Sequence, residues 1–120
     1  MEFTQQDFNH NSIVSCNSSS VILTHGELKT PCFISPKGSL ELSIKSITEI
    51  DKKLLFQLTS QEPLDLLIVG TGTKVVFLPP KQLVSLGEFG LGVESMNNIS
   101  ACSSFNLLLS DARAVGLLIL

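Results

Sequence analysis

Tryptophan and tyrosine are both absent, so any stacking platform for single-stranded nucleic acid would rest on the seven phenylalanines alone. Charge is scarce as well: only 16% of the 120 residues carry one, and the net charge is −3. No stretch is rich in Lys and Arg, which argues against a nucleic-acid partner. His10 and His25 are the only histidines, and the three cysteines form no CxxC, so no metal site is expected. An odd cysteine count also argues against a disulfide framework. Cys16, Cys32 and Cys102 read as free, mostly buried thiols of a cytoplasmic protein. The start, Met1-Glu2-Phe3-Thr4-Gln5, has no basic or apolar region of a signal peptide and no Arg-rich transit character. Long apolar runs are missing too. The longest, Ala114–Leu120, falls far short of the about 20 residues that span a membrane. GxGxxG, GxxxxGK[ST] and GxSxG do not occur. Their absence removes the standard dinucleotide, P-loop and nucleophile-elbow readings, and no cofactor is expected.

What the chain does have is apolar content: 43% of its residues are hydrophobic. Either a sheet is covered on both faces, or apolar surface is covered by a partner. The length fits one domain, residues 1–120, with residues 1–12 as a polar arm that has Phe3 and Phe8 as anchors and room for one short strand. Leu64–Gly72, reading LDLLIVGTG, organises the rest. Its uninterrupted apolar core lies between Pro63 and the glycines, which is the pattern of a central strand buried on both faces.

Before it, short β-like runs alternate with turn signals. Ile13–Cys16 and Val21–Thr24 flank Asn17-Ser18-Ser19-Ser20, and His25-Gly26 turns the chain again. From Leu28 to Ser35 one face carries Leu28, Thr30, Cys32 and Ile34, with Pro31 suiting an edge or a bulge. Leu40, Leu42 and Ile44 form another half-exposed strand. The first part of the chain is therefore an antiparallel meander.

The period then changes. Thr48-Glu49-Ile50-Asp51 has the form of a helix start, and Ile50, Leu54, Leu55 and Leu58 recur at helical spacing, which predicts a helix over 49–61. After the central strand, Lys74–Leu78 is briefly extended, and Pro79-Pro80 opens a helix over 80–88. Leu91–Met96 reads as a strand. Asn97 or Asn98 caps a helix over 99–111, and Ala114–Leu120 reads as a closing strand. This part is βαβαβ, which builds parallel strands, so the fold class is α/β with an antiparallel portion.

Parallel strands 64–70, 91–95 and 114–119 would place two loops on one edge of the sheet: Gly70-Thr71-Gly72 and Met96-Asn97-Asn98. Open α/β sheets bind ligands at that edge. The glycines admit a close approach, Thr71 and Asn98 offer hydrogen bonds, and the helix start presents unpaired N–H groups. Gly70, Thr71, Gly72, Met96, Asn97 and Asn98 are therefore candidate ligand-binding residues, with Glu94 beneath them in a mostly buried strand. The same loops also read as two turns that close the sheet. Asn106, in line with Ile99, Cys102 and Leu109, reads as a buried amide bonded to backbone.

Four stretches together, LLIVGTG at 66–72, FLPP at 77–80, GVESM at 92–96, and AC-SS-FNLLL-SDAR-AV across 101–115, resemble the family of the mitochondrial NADH dehydrogenase (complex I) assembly factor three and its bacterial and archaeal relatives. The family pattern falls on Gly70, Thr71, Gly72, Pro79, Pro80, Glu94, Met96, Asn106 and Arg113. The chain departs from it at Asn97-Asn98, where members usually have Asp-Thr, and at Ser103-Ser104-Phe105, where they often have Arg-Thr-Tyr. The resemblance implies a three-layer domain with a mixed central sheet, polar structural roles for Asn106 and Arg113, a protein partner and no transferable catalytic residue. The expected function is a non-catalytic interaction or assembly-type module linked to membrane or respiratory complexes. The alternative is a small polar-ligand or anion-binding domain, with or without enzymatic activity, using loops 70–72 and 96–98.

Overall fold

The computed structural model describes residues 11–17 and 19–120. Most of the expected arm, with Phe3, Phe8 and His10, and Ser18 of the first turn cluster lie outside the described residues. Three short strands, β1 (Ile13–Cys16), β2 (Ser20–Leu23) and β3 (Gly26–Lys29), make an antiparallel sheet in the order β1-β2-β3. A second, five-stranded sheet contains β4 (Cys32–Ile34), β5 (Ser39–Glu41), β6 (Leu66–Gly70), β7 (Gly92–Met96) and β8 (Val115–Ile119), in the order β5-β4-β8-β6-β7. β6 runs parallel to both β7 and β8, while β4 is antiparallel to β5 and β8. Among the described residues three α-helices complete the fold: α1 (Lys52–Thr59), α2 (Pro80–Gly87) and α3 (Asn98–Ser110).

The meander read from the sequence is real but divided between two sheets. The alternating stretch 28–35 is not one strand: it breaks at Thr30-Pro31, where proline has no N–H to give a ladder. Beyond the break, Cys32, Phe33 and Ile34 are all buried, so β4 is covered on both faces. The centre of the large sheet is β8, not Leu64–Gly72; β6 lies beside it, paired on both sides. Lys74–Leu78 joins neither sheet. Asn11, placed in the arm by its polarity, is buried, and its Nδ2 donates to the Ser35 carbonyl at 2.6 Å.

The helix expected over 49–61 starts later because two caps stand in series. Ser46 and Glu49 form a capping box on a single 3₁₀ turn, Ile47–Glu49. Ile50 is extended, and Asp51 then caps α1, its Oδ1 accepting from the Leu54 N–H at 2.9 Å. Helices α2 and α3 begin and end within one residue of the positions read from the sequence.

Alternation along the strands builds the layers. Ile68, Leu117 and Ile119 face one side of the large sheet, where they pack with Ala101, Cys102, Phe105 and Leu109 of α3 and with Val21 and Leu23 of the small sheet. Leu67, Val69 and Leu118 face the other side and pack with Leu55 of α1 and Leu86 of α2. Gly116 of β8 leaves room for a neighbouring ring: a Cβ there would lie 2.9 Å from Phe33 Cε1. Among the described residues no helix is long and apolar enough to cross a membrane.

Phe105 is 0% exposed at the junction of α3 with both sheets. Phe105→Ala should lower the unfolding free energy by about 3–5 kcal/mol in a denaturant titration, from lost burial plus the cavity left behind. A loss below about 1 kcal/mol would contradict this packing.

Candidate functional site

Because β6 and β7 are parallel, their C-terminal ends share one edge, and the loops that leave them are in contact. The Thr71 N–H donates to the Met96 carbonyl at 2.9 Å, and the Asn98 N–H to the Gly72 carbonyl at 2.8 Å. Asn98 Oδ1 accepts in return from the Gly72 N–H at 2.9 Å. Thr71 Oγ1 donates to the Lys74 carbonyl and accepts from the Val76 N–H, at 2.7 and 3.0 Å. Asn97 caps α3, its Oδ1 accepting from the Ser100 N–H at 2.8 Å. Most polar groups of these loops are thus satisfied within the loops themselves.

Glycine is required at two positions for different reasons. Gly70 is buried where α3 meets the sheet, and a Cβ would lie 2.5 Å from Ile119 Cδ1 and 2.6 Å from Asn98 Oδ1. Gly72 has open space around it but a φ of 98°, in the left-handed region.

A cleft of about 360 Å³ opens beside the loops, walled by Gly72, Asn97, Asn98, Ile99, Ser100 and, from the other sheet, Cys16. The candidate residues therefore divide. Gly72, Asn97 and Asn98 line the cleft, whereas Gly70, Thr71 and Met96 sit behind it as structure. Glu94 is not beneath the site. It is exposed, because β7 is an edge strand with its second face only partly covered, and it needs no buried partner. Arg113 is exposed in the turn after α3, at the far end of that helix from the cleft, about 20 Å away at the usual rise per residue.

Asn106 is half-buried rather than buried, and its carboxamide makes two backbone bonds. Oδ1 accepts from the Ile13 N–H at 2.7 Å, and Nδ2 donates to the Ile13 carbonyl at 2.9 Å. It stands where a neighbouring strand would stand along β1. Cys16 was not legible as a cleft residue. Its Sγ lies 3.9 Å from the Asn98 carbonyl, across 82 positions of sequence, and only the packing of the small sheet on α3 brings the two together.

All three cysteines are free. Burial, and secondarily the charge of Glu41, pushes the Cys32 thiol up to about 12. Burial also pushes Cys102 upward, helped by the neighbouring Cys16 and Cys32. Both stay protonated at neutral pH, so they are poor nucleophiles and poor metal ligands. Among the described residues no group of three His, Cys, Asp or Glu side chains is placed to hold a metal ion.

Asn106→Ala should cost about 1–3 kcal/mol, because it leaves the Ile13 N–H and carbonyl without partners. Amide exchange at Ile13 should rise in the same variant, and unchanged exchange would show that the bonds contribute nothing. In an alkylation series at pH 8, half-buried Cys16 should react first, with Cys32 and Cys102 reacting only on unfolding. The raised Cys32 value means the unfolded chain loses that proton first as pH rises. The associated stability is therefore intact below the ordinary thiol value of 9.0 and declines towards about 12. A flat stability profile across that window would contradict it.

Residues 13–120 match the family model described as "Protein of unknown function (DUF498/DUF598)". The chain is 30% identical over 102 residues to the Xenopus tropicalis protein named NADH dehydrogenase [ubiquinone] 1 alpha subcomplex assembly factor 3, covering 84% of this chain and 56% of that one. It thus spans about half the length of the assembly-factor relatives it matches. It is 31% identical over 102 residues to a "13 kDa major membrane protein" of Francisella tularensis, covering 82% of this chain and 81% of that one. A Bordetella parapertussis crystal structure superposes with a TM-score of 0.79 at 24% identity, over 92% of this chain and 94% of that one, and shares the fold. On the family match and the Francisella relative, the chain belongs to the DUF498/DUF598 family.

Proposed function

We propose that this domain is a non-catalytic interaction module of assembly type, which holds another polypeptide while a membrane or respiratory complex is built. The names of its assembly-factor relatives support the reading. The observation that carries it here is exposed apolar surface. Val75, Val76 and Phe77 stand in an irregular segment with Phe77 75% exposed, and Leu83 and Val84 of the helix that follows are exposed as well. Large apolar side chains grouped on one stretch mark a docking surface more often than a catalytic one. The helix of this stretch is tied to the segment before α1: Gln82 Nε2 donates to the Ile47 and Ile50 carbonyls, and Lys52 of α1 pairs with Glu88 beyond α2 at 3.0 Å. Three free thiols favour a reducing compartment, and we place the chain in the cytoplasm.

The second reading is a small polar ligand or anion at loops 70–72 and 96–98. The cleft beside α3 favours it. Against it, the N–H groups of Thr71, Gly72 and Asn98 already have acceptors, and the cleft lining carries no cation.

The test is genetic and biochemical together. Loss of the gene should lower the amount of an assembled membrane or respiratory complex on native gels. The wild-type chain should restore it, while a Phe77→Ser/Val84→Ser variant that still folds should not. Unchanged complexes, together with the absence of any polypeptide bound in stoichiometric amount, would overturn the reading.

A further inference from the structure

The outer face of α3 is unusual: none of its 13 residues is charged, and Ile99 and Leu107 are exposed on it. Beside it runs the outer edge of β1, which no other strand among the described residues pairs. A depression of about 240 Å³ lies between β1 and α3, and it shares Cys16 and Ile99 with the cleft of about 360 Å³ at the start of the helix. The two form one groove, and none of the residues lining either part carries a charge.

Three features indicate what the groove accepts. At Ile13 the edge of β1 is already occupied by a planar amide, the Asn106 carboxamide, which pairs with both backbone groups as a peptide unit would. Further along, the Asn17 N–H donates to the Ser20 carbonyl and Cys16 lies opposite Val21. Hydrogen-bonded and non-bonded pairs alternate in an antiparallel ladder, so the Cys16 N–H and carbonyl face away from β2. Finally, Asn98 is only 8% exposed; its Oδ1 takes the Gly72 N–H, but its Nδ2 has no acceptor among the described residues. A buried donor without an acceptor is costly, and it stands in the wall of the cleft.

We propose that this groove binds an extended, uncharged peptide segment of a partner protein. Backbone of the segment pairs with Cys16 and gives a carbonyl to Asn98 Nδ2, and its apolar side chains cover Val14 and Ile99. Main-chain bonds then supply affinity, and the charge-free lining selects against acidic or basic segments. The proposal rests on the interaction reading above and adds a second surface, with the kind of segment it takes.

The probe is a phage-displayed library of short random peptides, selected on the whole folded chain. Enriched peptides are then synthesised and mapped by amide chemical shifts. Enriched sequences should share an uncharged stretch, and shifts should concentrate at 13–17, 72–73 and 97–106. Ile99→Glu should weaken binding about tenfold. Ile99 is 77% exposed, and an acid is favourable in the first turn of a helix, so the variant keeps the fold. Phe56→Ser, at an exposed position of α1 outside both cavities, should leave binding unchanged. Shifts centred on 75–84 would overturn the groove while leaving the interaction reading intact. A charged consensus, binding indifferent to Ile99→Glu, or no enriched peptide would also overturn the groove, and the complex-assembly experiment judges the broader reading separately.

Discussion

Insertion of the last strand between two earlier ones is the constraint on which the rest depends. β8 is buried along its whole length, with β4 antiparallel on one side and β6 parallel on the other. It joins the antiparallel first part of the chain to the βα units of the second. Its side chains also divide the core: Leu117 and Ile119 face α3, and Leu118 faces α1 and α2. Such a strand pairs only when both neighbours are in place, which makes the two parts of the chain one cooperative structure.

The same insertion positions the candidate site. Gly70 ends β6 opposite Ile119 and Met96, so the N-terminal turn of α3 is pressed against a backbone with no side chain. That contact lets Asn98 reach Gly72 and close the two loops on each other. Of the two glycines read as admitting a ligand, Gly70 therefore serves close packing and Gly72 a left-handed turn. The space that remains open lies one step outward, where the small sheet leans Cys16 towards the helix.

Two kinds of apolar surface result. One, around Val75–Phe77 and α2, lies on the side covered by α1 and α2. The other, along β1 and α3, is a groove with backbone groups at its edge. The first offers area and the second offers directional hydrogen bonds; a domain that must hold a polypeptide in one register has use for both.

The sequence alone determined the type and order of nearly every element after residue 63, because periodicity is a local property: an apolar run between Pro63 and Gly70, a proline at a helix start, an asparagine cap. It also placed the loops after β6 and β7 on one edge of the sheet, but that they touch depended on β6 and β7 being neighbours. What it left open depended on contacts between distant residues. Whether residues 28–35 formed one strand or two turned on which sheet each half joined. Glu94 looked buried from its apolar neighbours, yet β7 proved to be an edge, which no local pattern reports. Asn106 showed its amide in the helix stripe, but its partner Ile13 lies 93 positions away. The groove exists only because the small sheet settles on α3, and tertiary packing alone decided that.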